Sequence, residues 1–186
     1  MKKGILVTVI LVIALGSQLY AFDGKRKGFV IGGGLGFAPV GRWSLVDAPS
    51  NSGVKTSESR PGISANFQVG YAFDEFNMLV FDADATGYNS KVNDKSSSQG
   101  VEAFSWYHYY GPTGKALYTK AGLGIYSFWV DGAGDFSSGL GFLVGGGYEF
   151  APHWQVGANV GFGRTSKSNV DFNHVHIDVG ISTMAF

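Results

Sequence analysis

The sequence predicts an all-β fold, an eight-stranded antiparallel up-and-down β-barrel that spans a membrane. Segments of about ten residues, the length of a membrane strand, alternate apolar with small or polar side chains at a period of two. Glycine accounts for 29 of the 186 residues, and charged residues make up only 15%, against about 25% in soluble domains. The non-apolar strand faces carry mainly glycine and amide groups, which favours a lipid-facing outer surface around a polar lumen.

The clearest β-hairpin occupies residues 139–164. Its first strand alternates large apolar residues such as Phe142 and Phe150 with glycines, and its second strand does the same from Trp154 onward. The segment 151–153 between them is a short turn. Because one face is apolar and the other is mostly glycine, we interpret the two segments as the sixth and seventh strands of a closed wall.

Six further segments show the same alternation. The connections between the eight segments alternate between long and short, which is typical of bacterial outer-membrane barrels. With the N-terminus in the periplasm, the short turns are periplasmic and the long loops are extracellular. The six further strands are predicted at 28–37, 63–73, 77–88, 101–110 and 116–129, with the last strand after a loop at 165–170.

The fourth predicted strand has aromatic residues on both faces, so its phase is ambiguous. We place Glu102 and His108 toward the lumen, which sends Tyr107 and Tyr109 outward. Aromatic residues near strand ends predict two girdles at the membrane surfaces. The girdle residues are Phe29, Tyr71, Phe73, Tyr107, Tyr109, Tyr148, Phe150 and Trp154 on the periplasmic side, and Phe37, Trp129 and Phe162 on the other.

Residues 1–21 are predicted as a cleaved signal peptide, and residues 22–186 as the barrel domain. Lys2 and Lys3 precede an apolar stretch that is shorter than the roughly 20 residues of a spanning helix. Cleavage leaves 12 basic residues (14 − 2) and 14 acidic residues, hence a charge near −2 (12 − 14). This balance excludes a strongly basic nucleic-acid binder.

The sequence resembles the small bacterial outer-membrane β-barrel family, which is OmpA/OmpX-like and close to the outer membrane protein beta-barrel domain group. The resemblance is carried by KAGLGIY at 120–126, by GFLVGGGYEF at 141–150 and by the final Phe186. It implies a protein of the bacterial outer membrane, in contact with outer-membrane lipid and lipopolysaccharide. It also implies that the barrel assembly machinery reads the last strand, which ends in Phe186.

The last residues of the chain depart from the alternation of inward and outward side chains. Outward residues of the eighth strand are odd-numbered through Ile181, whereas Met184 and Phe186 are even-numbered. We expect a bulge or a frayed end near residues 182–183 to reconcile them. We also expect a monomer.

An eight-stranded barrel has an interior that side chains can fill, so we expect no open pore. We expect a polar network in the lumen instead, which satisfies the buried polar groups. His and carboxylate side chains can also bind Zn²⁺, but the third strand is not adjacent to the eighth, so we favour the network and expect no metal and no cofactor. The network residues are Asp82, Asp84, Glu102, Lys120, Glu149, His174, His176 and Asp178.

Basic residues in the predicted extracellular loops are candidates for binding lipopolysaccharide phosphates. Ordinary solvated loops are the alternative reading. The candidate residues are Arg42, Lys55, Arg60, Lys91, Lys95, Arg164 and Lys167.

The predicted function is that of a structural or surface-interaction protein of the outer membrane. A narrow pore, a barrel that binds a small ligand and a lipid-modifying enzyme are the alternatives. We expect no catalytic residues, because no Gly-x-Ser-x-Gly motif is present and Ser182 lies several residues from either histidine of its strand. The GGGLG segment at 32–36 lies within a strand and lacks the following helix of a dinucleotide site.

Overall fold

The structure, a computed structural model, describes residues 25–46, 56–91, 95–131, 137–167 and 170–186. The predicted signal peptide at 1–21 therefore lies outside the described residues. Within the described ranges, no helix has the length and hydropathy needed to cross a membrane. The strands are β1 (Gly28–Leu45), β2 (Ser57–Ala72), β3 (Asn77–Asn89), β4 (Ser96–Tyr109), β5 (Ala116–Val130), β6 (Ser137–Ala151), β7 (Trp154–Lys167) and β8 (Val170–Ala185).

The eight strands form one closed antiparallel barrel. Each strand pairs with the next in sequence, and β8 pairs with β1 to close the wall. Phe37 of β1, for example, lies opposite Ile63 of β2 on one side and Val179 of β8 on the other. Closure leaves no unpaired sheet edge, so the backbone polar groups are satisfied within the wall. The predicted fold is confirmed.

The outer surface of the barrel is a band of large apolar side chains. Leu35 and Ile63 are 70% and 72% exposed, and Leu117 and Leu123 also point outward. Water would solvate such a continuous apolar surface poorly, whereas lipid matches it. The predicted girdle residues Phe29 and Trp154 are exposed as well.

The strands are longer than predicted. β1 has 18 residues and β2 has 16, although a tilted strand crosses the bilayer with about 9–11. The additional residues lie at the end of the barrel where β1, β3, β5 and β7 finish, and their outward side chains, such as Arg42, Ser59 and Asn173, are polar. The wall therefore continues beyond the apolar band at this end, which we call the rim.

The register of β1 shifts between Ala38 and Gly41 against β2. Pro39 lies in this irregularity, where its missing N–H removes no regular ladder bond. The shift changes which residues face inward, so that Arg42 is exposed. Residues 38–45, which the sequence assigned to a loop, are part of the wall.

The C-terminal end closes the barrel from inside. Met184 and Phe186 are 1% and 2% exposed, and β8 pairs with β7 as far as Thr183 without a register shift. The expectation of a bulge or frayed end near residues 182–183 is therefore wrong. Even-numbered residues face the lumen along the whole strand, and the Phe186 ring packs 4.9 Å from the His153 ring. These side chains fill the barrel end where β1 begins and β8 ends, in an apolar cluster with Val30, Ala72, Met78, Val80, Tyr107, Tyr109, Ala116 and Tyr118.

Candidate functional site

The lumen contains most of the charged and imidazole side chains that the sequence placed there. Each lies on the inward face of its strand and is at most 5% exposed. The charges are distributed over several levels of the barrel and contact one another across the lumen. The buried residues of the predicted network are Asp82, Asp84, Lys120, Glu149, His174, His176 and Asp178.

Glu102 is the exception, because the predicted phase of the fourth strand is wrong. Glu102 is exposed and His108 lies on the same outward face, contrary to the prediction, whereas Tyr107 and Tyr109 are both 1% exposed and point into the lumen. The two phenol hydroxyls find buried partners there, in Asp82 and Gln155. Both rings pack against Tyr118 of β5, with ring centroids 5.9 Å and 5.3 Å apart, and these contacts are not evident from β4 alone.

A buried ion pair lies at the end of the lumen where β1 begins and β8 ends. The Arg26 guanidinium, 0% exposed, lies 3.1 Å from the Glu149 carboxylate and 3.9 Å above the centre of the Tyr109 ring. Arg26 also donates to the carbonyl oxygens of Glu75 and Gly111. Sequence reasoning missed Arg26 because it precedes the first strand. The signal that could have found it is the unpaired inward charge of Glu149.

A second ion pair lies at the middle of the lumen. The Lys120 ammonium donates to the Asp82 carboxylate at 2.7 Å, and the Tyr107 hydroxyl donates to the same carboxylate oxygen at 2.7 Å. Gln68 approaches the other oxygen at 3.4 Å. Asp82 is thus neutralised and held by groups from three other strands, which stabilises the charges in an interior of low polarity.

A third cluster joins β3 to β8 across the lumen. The Asn159 amide donates to Asp84 at 2.8 Å and to Asp178 at 3.1 Å. His176 Nε2 lies 3.4 Å from Asp84 Oδ1, and His176 Nδ1 lies 3.0 Å from the Tyr126 hydroxyl. The third and eighth strands are not neighbours in the wall, but the narrow lumen brings their side chains together. The sequence argument that strand order separates these residues is therefore wrong.

His174 lies one step nearer the rim. Its Nε2 is 2.9 Å from the Thr165 hydroxyl, and its ring stacks on Tyr126 with centroids 5.1 Å apart. The Phe128 ring also packs against His174, with the two ring centroids 4.9 Å apart. The imidazole is thus part of an aromatic cluster in the upper lumen, the half of the lumen nearer the rim.

The lumen is filled by these side chains. A cavity beside Asp178, Lys120 and Tyr118 has a volume of about 10 Å³, which accommodates about one water molecule. Three ionic levels and two aromatic levels cross the barrel between its ends. The cavity beside Asp178 has room for a water molecule or a small ion.

The basic candidates among the described residues lie at the rim, but four of them, Arg42, Arg60, Arg164 and Lys167, belong to strands and not to loops. Arg42 is in β1, Arg60 in β2 and Arg164 in β7. Arg42 and Arg164 point outward, and Arg164 is paired with Asp171. Arg60 is only partly exposed at the barrel mouth, where it donates to the Asn89 carbonyl at 3.2 Å and lies 3.8 Å from Glu58.

The remaining basic candidates are less fully described. Lys91 and Lys95 are exposed on either side of the β3–β4 connection. Lys167 is the last residue of β7, but its side chain, like the whole of Lys55, lies outside the described residues. Together with Arg42 and Arg164, the two exposed lysines give the rim an outward-facing set of cations.

A family model described as "Outer membrane protein beta-barrel domain" matches residues 7–182. The chain belongs to this family. Its location is accordingly the bacterial outer membrane. None of the curated proteins matches the chain.

Solved structures of this barrel type are similar to the chain in fold. Neisserial surface protein A is 18% identical over 88% of this chain and 98% of its own, with a TM-score of 0.56. OprG of Pseudomonas aeruginosa is 15% identical over 88% of this chain and 99% of its own, with a TM-score of 0.50. Ail of Yersinia pestis is 15% identical over 84% of this chain and 99% of its own, also with a TM-score of 0.50.

Proposed function

We propose that the protein is a non-enzymatic outer-membrane barrel without an open pore, whose extracellular rim engages lipopolysaccharide or external partners. The observation that carries this proposal is the division of the molecule into a filled lumen and an exposed, charged rim. The buried side chains of Arg26, Lys120 and His176 cross the lumen at three levels, which supports a lumen closed to solutes. The surface available for interaction is therefore the outside of the wall and the rim.

The rim has the chemistry for phosphate recognition. Arg42 points outward just beyond the apolar band, at the height where lipid headgroups meet water. A guanidinium forms strong, bidentate hydrogen bonds with phosphate oxygens. Arg164 also points outward, but its pairing with Asp171 at 2.6 Å makes it a weaker candidate. We therefore assign the principal phosphate contact to Arg42.

The names of two structural relatives are consistent with a surface role, since one is a surface protein and the other an attachment invasion locus protein. At their low sequence identity this is an analogy of fold. The contacts in the lumen do not support a catalytic role. The ring nitrogens of His174 and His176 contact Thr165, Tyr126 and Asp84, and Ser182 lies six residues along β8 from His176, about 20 Å.

Charge reversal at the rim tests the proposal. Arg42→Glu should weaken lipopolysaccharide binding by the purified barrel about tenfold, because it replaces a phosphate-pairing cation with a repelling anion. Binding to lipopolysaccharide vesicles measures this. Lys115→Glu is the matched control, because Lys115 is an exposed cation in the β4–β5 turn at the opposite end.

Lys115→Glu should bind as the unmodified protein does. Equal losses in the two variants would indicate a general charge effect and contradict the assignment of the rim. No loss in Arg42→Glu would contradict the phosphate contact itself.

A further inference from the structure

Three buried ligand-type side chains meet in the upper lumen: Asp84, His176 and Asp178. Each is at most 2% exposed, and one potential ligand atom from each lies within 4.8 Å of the other two. Asp84 comes from β3, and the other two come from β8. Their convergence is therefore a product of the closed barrel and not of local sequence.

Each of the three side chains has a buried polar atom without a hydrogen-bond partner. These atoms are Asp84 Oδ1, His176 Nε2 and Asp178 Oδ2. The remaining atoms of the same side chains are engaged, because Asn159 donates to both carboxylates and the Tyr126 hydroxyl contacts His176 Nδ1. Two of these atoms, His176 Nε2 and Asp84 Oδ1, lie 3.4 Å apart without a hydrogen bond between them. Because buried polar atoms normally have partners, two carboxylate oxygens and one imidazole nitrogen without them point to a missing positive ligand.

The charge balance of the lumen points the same way. The other two buried carboxylates of the network each have a cation: Lys120 lies 2.7 Å from Asp82, and Arg26 lies 3.1 Å from Glu149. Asp84 and Asp178 share one imidazole and one neutral amide. Two carboxylates at such a site carry more negative charge than a single imidazolium neutralises, and uncompensated buried charge is costly.

We propose that Asp84, His176 and Asp178 bind one divalent transition-metal ion, with Zn²⁺ as the representative ion. This reverses the expectation from sequence that the chain binds no metal. The ion neutralises the two carboxylates and forms a coordination bond with each of the three unpartnered atoms. It serves as a cross-link between β3 and β8 through the lumen.

The donor set and its surroundings fit such an ion. One imidazole nitrogen with two carboxylate oxygens suits Zn²⁺ and its first-row neighbours, whereas Ca²⁺ and Mg²⁺ prefer oxygen ligands alone. The 3.4 Å between His176 Nε2 and Asp84 Oδ1 matches the separation of about 3.3–3.4 Å between two ligands of a tetrahedral Zn²⁺. The Tyr126 hydroxyl can accept the Nδ1 proton of His176, which leaves Nε2 free as the ligand.

The test uses the full mature barrel in detergent micelles, refolded with and without ZnCl₂, because the filled lumen restricts later entry. After dialysis, metal analysis should find about one Zn²⁺ per chain. The midpoint of thermal unfolding should rise with Zn²⁺ concentration, because the folded state alone has the assembled site. If the unmodified barrel retained no Zn²⁺ and its unfolding midpoint did not change, the proposal would be overturned.

Variants then locate the ion. Asp84→Asn and His176→Gln should each lower the Zn²⁺ affinity at least tenfold and abolish the shift of the unfolding midpoint. His174→Gln is the matched control, because His174 lies on the same strand and face but contacts Thr165. It should retain one Zn²⁺ per chain. Equal Zn²⁺ binding by His176→Gln and the unmodified barrel, or equal losses in the two histidine variants, would contradict the assigned ligands.

Discussion

At the scale of single residues, the lumen depends on close approaches between glycines and large inward side chains. A Cβ added at Gly161 would lie 2.1 Å from His176 Cε1, a distance at which the imidazole must move. At Gly157 it would lie 2.3 Å from the Tyr118 hydroxyl. The glycines of β7 thus make room for the groups that fill the barrel. This explains why the hairpin at 139–164 carries glycine on its inner face.

Lys120 should be one of the most sensitive positions in the lumen. Lys120→Met leaves the Asp82 carboxylate buried beside no cation, which should lower the free energy of unfolding by about 3–5 kcal/mol. Denaturant unfolding in micelles measures the change. Lys115→Met removes an exposed lysine and is the matched control.

The double variant Asp82→Asn with Lys120→Met should recover part of this loss, because it removes the unpaired charge. A loss in Lys120→Met no larger than that in Lys115→Met would contradict a buried ion pair.

At the scale of the strand, the alternation of side chains predicts most orientations correctly. β2, β3, β5 and β8 face as the pattern indicates, because one face of each is plainly apolar. The pattern fails for β4, where both faces are aromatic and tyrosine is suited to either side. Inside the barrel the two tyrosines of β4 pack against Tyr118 and bond to Asp82 and Gln155, which lie on other strands. The sequence of β4 alone therefore cannot reveal its phase.

Strand ends are predicted less well than strand orientations. Residues 96–99 are SSSQ and resemble a loop in composition, yet they continue β4 and pair with residues of β3 and β5. Above the apolar band the outer face of the wall meets water, so polar residues replace apolar ones while the ladder continues. Composition therefore marks the end of the lipid band and not the end of the strand.

The β2–β3 turn should contribute to stability through Asp74. Its carboxylate accepts hydrogen bonds from the Asn77 side chain and from the backbone N–H groups of Phe76 and Asn77, and these bonds lower the pKa of Asp74. A lowered pKa means that the charged form stabilises the fold above the usual carboxyl pKa of about 3.9. This contribution is lost as pH falls through the lowered value.

Asp74→Ala should therefore unfold faster than the unmodified barrel at pH 7, and the difference should narrow only below about pH 4. Unfolding rates in micelles across this pH range measure it. Asp131→Ala is the control, because the backbone N–H of Asp131, and not its carboxylate, bonds to Ser96. A difference that is constant from pH 7 to pH 3 would contradict the role of the charged carboxylate.

At the scale of the whole molecule, the sequence predicts the number of strands, the closed topology and the lipid-facing band. These features depend on the period of the side-chain pattern, on composition and on the alternation of long and short connections. Each of these can be read from the sequence one segment at a time. The contacts between Asp84 and His176 and between Arg26 and Glu149 could not be predicted in the same way. They depend on which side chains meet across a narrow lumen, which follows from the stagger and closure of the wall.

The filled lumen that we propose would separate this barrel from a channel. Its ion pairs lie at several levels, and aromatic rings, with Phe186 at the end where β8 finishes, occupy the space beside them. Removing one side chain leaves the other levels in place, so closure does not depend on a single gate. The function we propose for the rim depends on this closure, because a conducting barrel would act through its interior.

The most direct test of the account is the conductance of the purified barrel in a planar lipid bilayer. Heat-dependent gel mobility of the same preparation first establishes that the protein is folded. A filled lumen predicts insertion without stepwise ion currents above the lipid baseline. Reproducible current steps of uniform size from the folded barrel would contradict the filled lumen and, with it, the proposed function.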